Sequence, residues 1–161
     1  MKNYDYVLID KNDTKKLIDQ LYEVEKTAGG IPYDYDIFEE MLFHDTNLTF
    51  ACFDGKEIVG IITTNLKSKK FGGCVYIVNV GVKKSHHKQG IATQLINMVF
   101  DYIKNSLDNK PVKVALEVDK TNIPACNLYK KLGFEFDETY FDDEQYGMTI
   151  DYNKLNASQK Q

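Results

Sequence analysis

The stretch from residue 74 to residue 104 constrains the fold of this chain more than any other. CVYIVNVGV (74–82) is dense in β-branched residues, which suits a buried strand. It runs into KKSHHKQG (83–90), and a strongly amphipathic helix begins at once. Over 89–104 the apolar residues Ile91, Ala92, Leu95, Ile96, Val99, Phe100 and Ile103 recur at i, i+4, i+8 spacing. A strand entering a helix through such a loop leaves the first helical N–H groups without intrahelical partners. With the positive end of the helix dipole they form a ready anion site. Gly90 lets a phosphate approach the backbone, and Lys83, Lys84 and Lys88 add positive charge. Taken alone, the same pattern is met by a glycine that merely permits a turn beside solvated lysines. Neither the P-loop pattern G-x-x-x-x-G-K-[ST] nor the dinucleotide pattern G-x-G-x-x-G occurs.

Around this junction the elements alternate. Residues 4–9 read as an opening strand, and Asp13 or Thr14 as the cap of a helix carrying Leu17, Ile18, Leu21 and Val24. AGGIPY (28–33) breaks that helix, and a second one spans roughly 36–44. LTFACF (48–53) and EIVGIITTNL (57–66) form a hairpin about Asp54-Gly55, and KSKKFGG (67–73) is a loop. VKVALEV (112–118) is a strand. A helix begins near Asn122 with Pro124 in its first turn and ends at Gly133. Strands at about 134–141 and 145–152 complete the pattern, and NASQKQ is expected to fray. The order β-α-α-β-β-β-α-β-α-β-β predicts a mixed α/β (α+β) fold with one mostly antiparallel sheet of about seven strands and about four helices. With no repeat or linker, residues 1–152 read as a single domain followed by a polar tail at 153–161.

Composition narrows the functional classes. The 161 residues are 43% hydrophobic and 27% charged, ordinary for a globular protein, so disorder and a disulfide scaffold are disfavoured. The 20 basic and 24 acidic residues leave a net charge of −4, and every basic residue is Lys. An acidic field without the bidentate Arg fork argues against nucleic acid as partner and favours cationic ones, amines included. Cys52, Cys74 and Cys126 are scattered, odd in number and without metal-ligand spacing, so a reduced, cytoplasmic protein without a metal is expected. The N-terminus carries acids where a signal peptide needs an apolar stretch, and no run is long enough to span a membrane.

Four short motifs occur in order: VNVGV (78–82), His87-Lys88-Gln89-Gly90-Ile91-Ala92, LEV (116–118), and Asn122…Ala125…Leu128-Tyr129…Leu132-Gly133-Phe134. Together they resemble the GNAT superfamily of N-acetyltransferases over roughly residues 48–152, with some similarity to its ribosomal-protein alanine N-acetyltransferase branch. The resemblance implies an acetyl-CoA site and the GNAT fold. The family's Q/R-x-x-G-x-G/A loop maps to residues 87–92, whose amides would cradle the pyrophosphate of coenzyme A. His87 stands where Gln or Arg is usual. Val80, Gly81 and Val82 would align with the pantetheine arm, in a slot the family opens by splaying this strand from that at 112–118. An amide of 78–82 would polarise the thioester carbonyl. Asn122, a helix cap by its residue type, would also touch the cofactor.

An amine attacks a thioester only when neutral, whereas a lysine amine has a pKa of about 10.4 and an α-amine about 8. The site must take a proton and help a thiolate leave. By the same resemblance Glu117 would be the general base and Tyr129, twelve residues on, the acid for the departing sulfur. Read as residues alone, Glu117 is equally a solvated strand residue and Tyr129 a core aromatic. His86 beside His87 reads as solvent-facing, and Cys126 as a small buried thiol rather than an acetyl carrier. For the acceptor, Tyr140, Tyr146 and the acids Asp142, Asp143 and Glu144 resemble the tyrosine-bearing hairpin of protein N-terminal acetyltransferases. Tyr33 in the 28–36 loop would form an opposite wall. A charged, solvated turn accounts for that hairpin as well. The expected function is direct acetyl transfer from acetyl-CoA to a peptide or small-molecule amine, by a monomer or homodimer. A regulatory acyl-CoA-binding domain without turnover is the alternative.

Overall fold

The structure, a computed structural model, describes residues 2–158, with side chains through residue 155. Its elements run β1 (Asp5–Ile9), α1 (Lys11–Thr27), α2 (Tyr35–Phe43), β2 (Asn47–Asp54), β3 (Glu57–Ser68), β4 (Cys74–Val82), α3 (Ile91–Ser106), β5 (Lys113–Asp119), α4 (Ile123–Lys131), β6 (Glu135–Phe136), β7 (Gln145–Asp151) and α5 (Tyr152–Ser158). The strands hydrogen bond in the order β1-β2-β3-β4-β5-β7-β6, giving the seven-stranded mixed sheet that the sequence order implied. Pairing is parallel between β4 and β5, at Val75 with Val114 and Tyr76 with Ala115. It is antiparallel in β1–β2, β2–β3, β5–β7 and β6–β7. Five helices stand among the described residues. The fifth, α5, follows β7 directly, its first N–H (Tyr152) donating to the carbonyl of Val112 at 2.9 Å. Residues 156–158 of the tail expected to fray belong to it, and 159–161 lie outside the described residues. No helix among those described is long and apolar enough to cross a membrane.

The chain divides into two compact units, one of residues up to Asn65 with Val78–Val99, the other of Leu66–Ile77 with the chain from Phe100 onward. In the first, α1 starts one turn earlier than the sequence suggests. Asp10 is the cap because its carboxylate accepts from the Asp13 N–H at 2.8 Å while Thr14 Oγ1 donates to the Asp10 carbonyl at 2.9 Å. Leu21 and Val24 of α1 pack with Phe38 and Leu42 of α2 on Ala51, Ile58 and Ile61 of the sheet. The start of α3 is seated through Gly60. A Cβ there would lie 2.8 Å from Cγ2 of Ile91 and 3.3 Å from Cδ1 of Leu95. Only glycine lets these two buried side chains settle on β3, each contributing about 1.5–3 kcal/mol of apolar burial. That contact fixes where the helix, and the loop before it, begins.

In the second unit, Val114, Leu116 and Val118 of β5 are buried, and Phe100 meets Phe134 at a ring separation of 5.9 Å. Gly133, at φ +103°, ends α4 as expected, and the Phe134 N–H returns to the Tyr129 carbonyl at 3.0 Å. The long strand expected at 134–141 is only two residues. Asp137 accepts from the Thr139 N–H at 3.2 Å and turns the chain into a 3-10 turn at Glu138–Tyr140. Its last residue packs onto Gly147 of β7, where a Cβ would meet the Tyr140 Cβ at 2.6 Å and its carbonyl oxygen at 2.9 Å.

Candidate active site

The first unit carries a loop made of backbone. Along residues 87–91, φ is positive at Lys88 (+62°) and Gly90 (+79°), and the Gln94 N–H closes the first turn of α3 onto the Gly90 carbonyl at 3.0 Å. Gly90 therefore stands at the cap position, and it and the next three residues present N–H groups without intrahelical acceptors, at the positive end of the dipole. A Cβ at Gly90 would meet no atom within 4 Å, so the space above these amides is open. His87 turns away from it, its Nε2 bonding the Val82 carbonyl at 2.7 Å, and Gln89 accepts from the Tyr4 hydroxyl. Lys83 is engaged with Glu57 at 2.8 Å and His86 with Asp54 at 2.9 Å, while Lys84 and Lys88 are exposed.

Beside this loop, β4 is tied to the last turn of α1 and the segment that follows it. Asn79 Nδ2 donates to both Glu25 oxygens at 3.3 and 3.5 Å, and the Tyr33 N–H donates to the same carboxylate. Burial raises the Glu25 pKa, and the two hydrogen bonds partly oppose it. The Tyr33 carbonyl accepts from the Tyr22 hydroxyl at 2.9 Å. Tyr33 is thus held by its backbone while its side chain stays exposed. Gly81 is buried, with Ala28 Cβ 3.3 Å from where its own Cβ would be.

The second unit carries a cluster made of side chains. On β5, Glu117 stands opposite Gly147 of β7. Its Oε1 accepts from the Tyr76 hydroxyl at 2.8 Å and pairs with Lys70 Nζ at 2.9 Å. The Lys70 ammonium lies 4.5 Å from the centre of the Tyr76 ring. Phe71 adopts the left-handed conformation (φ 54°) and stacks on Tyr140 at 4.0 Å, with Tyr76 edge-on at 6.0 Å. The missing side chain at Gly147 admits Tyr140 next to Glu117. Tyr146 takes the other face, because it pairs with Val118, one residue along the pleat. There it clusters with Phe136 at 4.8 Å and Phe141 at 4.9 Å. The two hairpin tyrosines therefore do not line one wall.

Tyr129 sits edge-on to Phe134 at 6.0 Å. Burial pushes its pKa up to about 12, so it is a protonated donor at neutral pH. No hydrogen bond links it to Glu117. Asn122 does cap α4, accepting from the Ala125 N–H at 3.2 Å. Asp142 is occupied by its own turn, accepting from the N–H groups of Glu144 and Gln145 at 2.8 and 2.6 Å. The Cys126 thiol is buried with its pKa raised chiefly by desolvation, a poor start for a nucleophile. Sequence reasoning did not single out Lys70, Phe71 or Tyr76. The one local signal was a tyrosine, half-buried here, between the buried Val75 and Ile77.

The sequence profile of the acetyltransferase (GNAT) family matches residues 15–134. The chain belongs to the GNAT acetyltransferase family. This acetyltransferase is 31% identical over 129 residues to an N-alpha-acetyltransferase of Sulfurisphaera tokodaii, covering 73% of this chain and 74% of that one. It is 30% identical over 118 residues to a streptothricin acetyltransferase of Escherichia coli, covering 73% of this chain and 64%, under two thirds, of the relative. In fold it is similar to the ribosomal-protein-S18-alanine N-acetyltransferase of Escherichia coli, with a TM-score of 0.75 at 18% identity and coverage of 93% and 94%. Membership makes the reaction acetyl-CoA-dependent transfer to an amine. The loop fits that co-substrate: open space over a glycine at a helix start, ringed by unpaired amides, suits a pyrophosphate.

Proposed function

We propose that the acetyltransferase acts on the free α-amine of a peptide or protein, with Glu117 taking the proton from the amine. The N-alpha-acetyltransferase among the relatives favours the α-amine, and the observation that carries the base role is the Glu117 carboxylate. It is oriented by Tyr76 and already holds a primary ammonium, that of Lys70, at 2.9 Å. A carboxylate so placed binds an incoming ammonium and removes its proton as the amine attacks. Acetyl-CoA supplies the acyl group as an activated thioester. The amides of residues 90–92 hold its pyrophosphate, with Lys88 adding charge, and Val80, Gly81 and Val82 run along its pantetheine arm. His87 fixes the loop rather than the phosphate, because its ring is committed to the Val82 carbonyl.

Tyr129 donates a hydrogen bond to the sulfur as the carbon–sulfur bond breaks. Protonated at neutral pH, it stands as the acid for the departing sulfur. Asn122 contributes through its cap on α4. Tyr140 and Tyr33 are acceptor contacts, and Tyr146 supports the hairpin from the other face. A cytoplasmic location accompanies this reading, supported by three free, buried cysteines. A small-molecule amine is the second reading, favoured by the streptothricin acetyltransferase among the relatives.

CoA release against a divided panel of amines tests the proposal. One half holds peptides with free N-termini and matched peptides with a blocked N-terminus and a free lysine. The other holds polyamines, aminoglycosides and streptothricin-like amines. Turnover confined to free N-termini is the expected outcome. Turnover confined to the small amines would replace the first reading with the second.

A further inference from the structure

The Lys70–Glu117 contact has a chemical meaning of its own. Three observations show that it is built rather than incidental. The turn carrying Lys70 is pinned through its backbone: the Lys70 N–H donates to Ser68 Oγ at 3.1 Å, and its carbonyl accepts from the Gly73 N–H at 2.9 Å. Positive φ runs through Phe71, Gly72 and Gly73, at 54°, 75° and 104°. A non-glycine residue adopts such a conformation at a cost, offset here by the stack of Phe71 on Tyr140. Finally, the ammonium lies over the Tyr76 ring while that tyrosine's hydroxyl and the ammonium meet the same oxygen of Glu117.

We propose that Lys70 is a self-acetylation site, its amine occupying the acceptor's place at Glu117. The inference rests on the reading of Glu117 as the base. A free lysine amine is neutral in only roughly one molecule in a few thousand at pH 7, so a lysine that reacts selectively needs a neighbour to take its proton. Glu117 touches Lys70 as it would an acceptor. The Lys70 Nζ–acetyl carbon bond forms and the thioester carbon–sulfur bond breaks. One proton passes from the ammonium to Glu117 before attack, and the second, shed by the same nitrogen as the amide forms, goes to the departing thiolate, which leaves as the CoA thiol. The product is a neutral amide that no longer pairs with Glu117. The chain therefore carries a competitor for its own acceptor, which acetylation removes.

The test incubates the full chain with acetyl-CoA and no acceptor, following every lysine by peptide mass spectrometry. Lys70 is expected to acetylate at least ten-fold faster than the median lysine, at a rate independent of protein concentration. Glu117→Gln is expected to remove that excess, and a free-N-terminal peptide to suppress it. A Lys70 rate within the spread of the other lysines would overturn the proposal. So would a rate that climbs with protein concentration, or an excess that survives Glu117→Gln. A second readout needs no acetyl-CoA. The Lys70 Nζ resonance should follow a carboxyl titration in the wild type and not in Glu117→Gln, and a resonance blind to that titration overturns the pairing. Panel amines acetylated while Lys70 stays unmodified would sink self-acetylation alone. Panel amines acetylated by Glu117→Gln as fast as by the wild type would sink the reading of Glu117 as the base, and the proposal with it.

Discussion

The 87–92 loop and the Glu117 cluster are built on opposite principles. The loop is backbone: a glycine with φ of +79°, a helix start and a row of N–H groups, all within six consecutive residues. A site of that kind depends little on side chains, and at position 87 the histidine turns its ring back onto Val82. The cluster is side chain: a carboxylate, a phenol and an ammonium brought from 41 and 47 residues apart in the sequence. Each is defined by its functional group and none by its backbone. A backbone site tolerates most substitutions and fails at one glycine, whereas a side-chain site fails wherever one atom is removed.

The largest expected effect probes the side-chain half. Glu117→Gln keeps the shape but cannot take a proton, and kcat should fall about 10²–10³-fold with the KM for acetyl-CoA unchanged. A fall confined to that KM would mean that Glu117 belongs with the cofactor. Next, Tyr129→Phe removes one hydrogen-bond donor and should lower kcat about 10–100-fold at unaltered acetyl-CoA affinity, in steady-state assays at saturating acceptor. Equal kcat would return Tyr129 to the core beside Phe134.

The backbone half should answer in the opposite parameter. Gly90→Val forces a branched side chain into φ +79° and into the open space over the amides. The KM for acetyl-CoA should rise about tenfold while kcat at saturation holds within a few-fold. A variant that matched Glu117→Gln, losing only kcat, would erase the distinction between the two regions. A smaller effect comes from Tyr76→Phe, which removes about 1 kcal/mol of hydrogen bond from Glu117 and should lower kcat about five-fold. An unchanged kcat would leave Glu117 oriented by something else.

The smallest effect is on stability. Burial raises the Glu25 pKa, so the folded protein binds a proton that the unfolded chain has released. The stabilisation linked to that proton is complete below the ordinary glutamate value and is lost as pH rises through the raised one. Glu25→Gln should therefore gain on the wild type as pH rises through that window, by urea midpoints at a series of pH values. A gap independent of pH would assign the change to the lost contacts with Asn79 and Tyr33 alone.

The same contrast governs what was legible in the sequence. The loop could be read because its parts are consecutive: β-branched strand, glycine, helical periodicity. The alternation of elements followed in the same way, and β4 starts and ends where its residues implied. Glu117 and Tyr129 were reached through family motifs rather than through physics. Lys70 and Tyr76 were out of reach because nothing local marks them. KSKKFGG is an ordinary loop until Phe71 stacks on Tyr140 and turns Lys70 onto β5's carboxylate. The cap of α1 was misplaced by one turn because Asp10, Asp13 and Thr14 are all good caps. Which one serves depends on where the strand before it stops. Helix α5 was missed because YNKLNAS shows no periodic apolar face in the sequence; among its described side chains Leu155 is buried.

The seat of Tyr140 on Gly147 has a practical corollary for anyone reshaping acceptor choice. The hairpin looks like a run of positions open to independent randomisation. Residue 147 is not independent, since any side chain there would collide with both the Cβ and the carbonyl of Tyr140. Shrinking Tyr140 would not clear the way, because Cβ and backbone remain. A library aimed at this wall must freeze position 147 and vary the aromatic tip of 140, along with Phe71 that rests on it.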